Sequence, residues 1–254
     1  MSINSLYPFD RDVLTVKKYG DNIVKVSMLS SCRVSGFEDG FNYVPKSTVN
    51  DSKLDNNLSR AKSRVMEFAL CNPWKYWCTF TISPEKYDRY NLKAYKKDFS
   101  EFIHTLNRSR IEKITYILIP EMHEDGAWHM HGFINGLSDT ELKPTGNFDK
   151  DGNEYFTWSK YHYKFGFMSL SAIRDLERTA KYSMKYMTKD NSRNVTELGA
   201  HLYYASHGLK SAERIYKGHG EFHGEWDWSH PDGYLKIKTL DLRETTLEEY
   251  IEVM

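Results

Sequence analysis

Little in this chain can act as a covalent staple or a membrane anchor. Its 254 residues hold three cysteines, Cys32, Cys71 and Cys78, at spacings that fit neither a disulfide framework nor a zinc site. No apolar run reaches the roughly 18 residues that would mark a membrane span, and the opening MSINSLYPFDRD lacks the apolar core of a secretory leader. The expected address is therefore a reducing cytoplasm, with no membrane partner. No Gly-x-x-x-x-Gly-Lys-Ser/Thr run occurs, which excludes a P-loop motor. Net charge is also lacking: 35 Lys and Arg stand against 35 Asp and Glu.

That zero hides a segregation. Residues 221–254 carry nine acids and three bases, whereas residues 46–110 carry 13 bases and seven acids, and residues 160–220 carry 11 and five. An acidic C-terminal stretch thus follows a basic body. Aromatic residues are plentiful, with 18 Tyr, 13 Phe and 6 Trp, and the hydrophobic fraction of 40% suits a globular core.

Apolar–polar alternation on both sides of Gly20-Asp21-Asn22 predicts a hairpin over 13–29. Residues 30–54 read as a linker, and apolar positions three or four apart predict a helix from Asp55 to Pro73. Strands follow over 75–83, 114–120 and 127–134, with an amphipathic helix over 92–106 between the first two. Residues 138–165 read as a polar insertion, 173–188 as a helix, and 201–205 and 234–237 as short strands. The class is α+β: a central antiparallel sheet with helices packed on it. Three divisions are expected: 1–54 (hairpin and linker), 55–210 (main domain) and 211–254 (acidic extension).

Two stretches carry chemistry. In IPEMHEDGAWHMHGF, Glu121 and His123 share one strand face, as do His129 and His131 on the next strand. A three-residue loop, Asp125-Gly126-Ala127, sets His123 opposite His129 and Glu121 opposite His131, all four on one face. A two-residue loop sends the first pair to the other face. Imidazoles and a carboxylate gathered on one face suit Mn²⁺, Zn²⁺ or Fe²⁺, and Mg²⁺ with a phosphate in the shell. The alternative is an exposed polar hairpin. In SAIRDLERTAKYSMKYMTKD, Leu176, Ala180, Met184 and Met187 form a core face. Arg174, Arg178, Lys181, Lys185 and Lys189 form a basic one, with Tyr182 and Tyr186 between them. A phenol with ammonium groups beside it can be activated as a nucleophile; the alternative is a solvated amphipathic helix. Trp158 and Tyr161 are candidates for stacking on unpaired bases.

Together these elements resemble the rolling-circle replication initiators of the HUH (His–hydrophobe–His) endonuclease superfamily, over about residues 55–210. Phe80-Thr81-Ile82-Ser83 is similar to the family's first motif, His129-Met130-His131 to its metal motif, and Tyr182-Ser183-Met184-Lys185-Tyr186 to its Tyr-x-x-Lys motif. The likeness is to initiators of small phages and Gram-positive mobile elements. It implies a ferredoxin-like palm and metal-dependent nicking of single-stranded DNA at an origin, through a 5′-phosphotyrosine and a free 3′-OH, in the cytoplasm of a bacterial host. Tyr182 is then the nucleophile, with Tyr186 either a second one or a packing residue. Lys185 offsets charge on phosphate or phenolate, or simply contacts the backbone. His129 and His131 ligate Mg²⁺ or Mn²⁺ with Glu121, or its rival His123, as third ligand. Arg178, Lys181 and Lys189 hold DNA. A host helicase and polymerase are the implied partners. Two other readings stay open: a non-cleaving origin-binding protein, and a metal-dependent oxygenase or hydrolase acting on a small molecule.

Overall fold

A computed structural model describes residues 13–30, 51–231 and 233–253; most of the linker read over 30–54 lies outside them. In chain order the elements are β1 (Val13–Tyr19), β2 (Ile23–Leu29), α1 (Asp51–Cys71), β3 (Tyr76–Thr81), α2 (Leu92–Arg108), β4 (Thr115–Met122), β5 (Trp128–Asn135), β6 (Leu142–Phe148) and β7 (Glu154–Trp158). There follow α3 (Ser159–Lys164), β8 (Met168–Ala172), α4 (Leu176–Ser183), α5 (Lys189–Glu197), β9 (Tyr204–Ala205), β10 (Glu213–Phe222), β11 (Trp228–Ser229), β12 (Leu235–Asp241) and β13 (Ile251–Val253). The class is α+β, as expected. No helix among the described residues is long and apolar enough to cross a membrane.

The chain divides into two compact units, residues 46–210 and residues 1–45 with 211–254. In the larger unit seven strands form one sheet, ordered β6-β7-β8-β3-β5-β4-β9, with every pair antiparallel. Strand periodicity of two decides which residues face which layer. The even positions Tyr76, Cys78 and Phe80 of β3, with Met130 and Ile134 of β5, enter a core closed by Leu92, Tyr95, Phe99 and Ile103 of α2. Asn91 caps that helix, its side chain accepting the Ala94 N–H at 3.1 Å. The odd positions face the opposite layer. There Ile117, Ile119 and Phe133 pack under Leu58, Val65 and Ala69 of α1 and Ala180 of α4. Each such buried Leu, Ile or Phe side chain contributes about 1.5–3 kcal/mol. Beyond this apolar half, the odd face carries Thr79, Thr81, Glu121, His129 and His131.

The smaller unit is one sheet, β11-β12-β2-β1-β10-β13. The hairpin expected over 13–29 is present, turning at Gly20, whose φ is 60°. Its outer partners come from the far end of the sequence: β1 pairs with β10, and β2 with β12. Leu14, Val16, Val24, Val26 and Leu240 form its core. The N-terminal hairpin and the acidic extension, separate divisions in the sequence, thus share a sheet.

Three further expectations change. Helix α1 begins at Asp51, not Asp55. Residues 138–165 are part of the sheet: β6 and β7 extend its edge, and Trp158, Tyr161 and Phe165 enter the α2 core. The expectation that Trp158 and Tyr161 stack on bases is therefore overturned, because both are fully buried. Finally, the helix expected over 173–188 ends at Ser183. It tightens to a 3₁₀ turn at Met184–Tyr186 before α5 starts behind the Thr188 cap.

Candidate functional site

The β4–β5 hairpin brings its four candidate residues to one face, in a register two residues away from the expected one. Glu121 lies opposite His129 and Ile119 opposite His131. The loop is Glu124-Asp125-Gly126, closed by the His123 N–H donating to the Ala127 carbonyl at 2.9 Å. Gly126 takes φ 81°, the left-handed position that ends such a loop, and the Asp125 carboxylate accepts the Ala127 N–H. This turn chemistry places the glycine last in the loop, where the expected loop has it second. A slip of two keeps every side chain on its face, so the convergence survives and the pairings become diagonal. His131 Nε2 meets Glu121 Oε2 at 2.7 Å. The His123 ring stacks on His129 with centroids 3.8 Å apart, and His123 Nε2 stands 3.9 Å from the same Glu121 oxygen.

Strand β3 supplies a supporting row. Thr79 Oγ1 lies 3.1 Å from His131 Nδ1, and Thr81 Oγ1 lies 3.5 Å from His129 Nδ1. These contacts orient the rings through Nδ1 and direct Nε2 of His131 to the acid. Burial pushes both imidazoles down to about 4, helped by repulsion from His123 and, at His131, from Lys185. Both are neutral at pH 7, the form that ligates metal ions. Neutral imidazoles held at Nδ1 beside a carboxylate are the donor chemistry a divalent ion uses. Among the described residues, no three His, Cys, Asp or Glu side chains are already drawn together as a ligand set.

The tyrosines stand against this row. Tyr186 is 8% exposed, and its ring stacks on His131 with centroids 3.9 Å apart. Its other neighbour is Trp77, at 5.8 Å. Tyr182, on the last turn of α4, is 46% exposed. The two hydroxyls are 3.1 Å apart. The Lys185 ammonium donates to the Tyr182 hydroxyl and lies over both rings, 4.1 and 4.6 Å from their centroids. Burial raises the Tyr182 phenol, but hydrogen bonds with Lys185 and Tyr186 outweigh it and hold the group below the usual tyrosine value. Burial and the neighbouring Tyr182 push Tyr186 far above that value. Two phenols one turn apart are thus set to opposite tasks.

The basic residues divide. Arg178 lines a cleft of about 390 Å³ on the same sheet face, with Trp77, Tyr155, Ser169 and Tyr182. Lys181 is exposed on α4. Lys189 pairs with Asp55 of α1 at 3.0 Å, a contact that draws it toward the helix layer. Sequence reasoning missed Asn191. Its Nδ2 donates to the Pro120 and Tyr186 carbonyls at 2.6 and 3.0 Å, and its Oδ1 accepts the Met122 N–H at 3.2 Å. It thereby latches the tyrosine turn to the acid-bearing strand. The available signal was Thr188, a helix cap three residues earlier. Trp77 and Thr79 had no local signal beyond strand alternation.

Residues 75–191 match the model of a replication-associated protein family, the ORF2 type. The matched stretch runs from β3 to Asn191 and contains every candidate residue named for the site. It supports a replication-associated protein. No curated protein and no solved structure matches the chain.

Proposed function

We propose that this chain is an HUH-type replication initiator that nicks single-stranded DNA at an origin through Tyr182. The observation that carries the reading is one arrangement: a half-exposed phenol, held by an ammonium, beside a Glu–His–His row on a single sheet face. The alternative small-molecule readings give Lys185 and the tyrosine pair nothing to do.

Tyr182 Oη attacks the scissile phosphorus, the P–O3′ bond breaks, and the 5′-phosphate is left on tyrosine with a free 3′-OH. The phenol loses its proton on attack, and Lys185 favours that loss by stabilising the phenolate. Tyr186 holds its hydroxyl 3.1 Å from the nucleophile and packs on His131. Its raised pKa suits a positioning role better than a second nucleophile. Glu121, His129 and His131 would hold Mg²⁺ or Mn²⁺, with His123 as an auxiliary donor through the same carboxylate oxygen. Such an ion would supply Lewis acidity toward phosphoryl oxygens. Arg178 and Lys181 meet the phosphate backbone. The free 3′-OH then serves a polymerase, and unwinding falls to a host helicase because no P-loop is present. The setting is the cytoplasm of a bacterial host carrying a phage or mobile element.

The test is a denaturing gel of the protein incubated with single-stranded origin oligonucleotides and Mn²⁺ or Mg²⁺. A covalent adduct should form and vanish in Tyr182→Phe. An adduct that persists in that variant would overturn the assignment.

A further inference from the structure

At the outer edge of the seven-stranded sheet, β6, β7 and α3 enclose an open groove of about 1060 Å³. It lies apart from the tyrosine cleft and draws most of its lining from residues 143–164, inside the segment whose composition alone suggests an insertion. Its charge is one-sided. Lys86, Lys143, Lys160, Lys164 and His162 line it, and no Asp or Glu does. The nearest acid is Glu141, at 2.5 Å from Lys160 and also held by Arg110. The other ammonium groups face no acid among the described residues: Lys86 donates to the His162 carbonyl, and Lys164 lies over the Phe102 and Phe165 rings.

Two aromatic rings stand open in the same groove. Tyr163 is 86% exposed and Phe167 43%. A folded chain gains nothing by leaving two large rings in water beside uncompensated lysines. Cations spaced along a channel with exposed rings between them match the chemistry of an unpaired strand. Ammonium groups meet its phosphates, and its bases stack on the rings. The location fits as well. The Phe167 carbonyl accepts the Thr81 N–H at 2.8 Å, so the groove opens one strand from the histidine row.

We propose that this groove is a second binding site for single-stranded DNA. Lys86, Lys143 and Lys164 grip phosphates, Tyr163 and Phe167 stack bases, and the strand continues from the nicking site toward the sheet edge. The proposal rests on the reading that this chain works on single-stranded DNA.

The experiment uses the full chain carrying Tyr182→Phe, so that bound DNA stays intact, with fluorescently labelled dT16 followed by anisotropy across a salt series. Tyr163→Ala should weaken binding about tenfold, and Tyr163→Phe should restore it. The pair Lys143→Ala with Lys164→Ala should lower the slope of log affinity against log salt by about 1.4, from about 0.7 for each phosphate no longer gripped. Thermal melting checks that each variant is folded. Unchanged binding in these folded variants overturns the groove alone. Failure of the parent to bind dT16 overturns the functional reading along with it. Equal competition by a 16-base-pair duplex overturns the stacking role, because paired bases cannot reach Tyr163.

Discussion

Tyr182 and Tyr186 are the same residue type four positions apart, and their surroundings separate them. One keeps its hydroxyl in water under an ammonium; the other is buried between Trp77 and His131. Lys185 is the main agent holding the Tyr182 phenol low once burial is set against it. Replacing it with methionine keeps most of the stem packing and removes the charge. The phenol should then rise, and phenolate should form only at higher pH. The pH–rate profile of nicking in Lys185→Met should move toward alkali, with the rate at pH 7 falling about tenfold for each pH unit that the phenol rises. An unmoved profile would mean that Lys185 contacts only the DNA backbone.

At the scale of elements, the β4–β5 hairpin depends on a close approach at Gly132. A Cβ built there would lie 1.8 Å from the Ile117 carbonyl oxygen. No side chain gives way at that contact; the two strands must part. Gly132→Ala should therefore cost about 3 kcal/mol or more in urea denaturation and displace His131 with it. A second element-level lock is Glu141, where Arg110 after α2 and Lys160 of α3 converge on one carboxylate that is 12% exposed. Burial raises its pKa, but the two cations overcome that and leave it below the usual carboxylate range. A depressed folded-state pKa stabilises above the unfolded value, near 4.3, and that stability is lost as pH falls through the lower folded value. Glu141→Gln should cost about 1–3 kcal/mol at pH 7 and flatten the fall in stability below about pH 4.5, as read by thermal melting across pH.

At the scale of the whole molecule, the acids of residues 221–254 belong to folded strands. Deleting that stretch to test its charge would also remove β11, β12 and β13 and uncover Val24 and Val26. A cleaner probe is Leu240→Ala, which removes the β12 contribution to that core. It should cost about 2–5 kcal/mol and increase hydrogen exchange across β2 and β12. Protection equal to the parent's would mean the small sheet is held by its edges instead. The basic excess of residues 46–110 and 160–220 falls wholly or mainly in the unit that carries the candidate site. Zero net charge therefore describes the sum of two differently charged units and says little about a partner.

The sequence by itself determined what depends on local period and residue chemistry. The α+β class, the 13–29 hairpin, the shared face of Glu121, His123, His129 and His131, and the tyrosine–lysine turn were all legible, because alternation and helical spacing are local properties. Tertiary structure decided the rest. The β4–β5 register turned on where in the loop the left-handed Gly126 falls. The 138–165 segment joined the sheet because β8 offered it an edge. Asn191, Trp77 and Thr79 became site residues only through partners up to 71 positions away. The pairing of β1 with β10 joins residues some 200 positions apart, which no local pattern in either segment encodes. The difference between the two tyrosines arose the same way: burial is a property of the packed whole, and it left only Tyr182 both exposed and charge-stabilised.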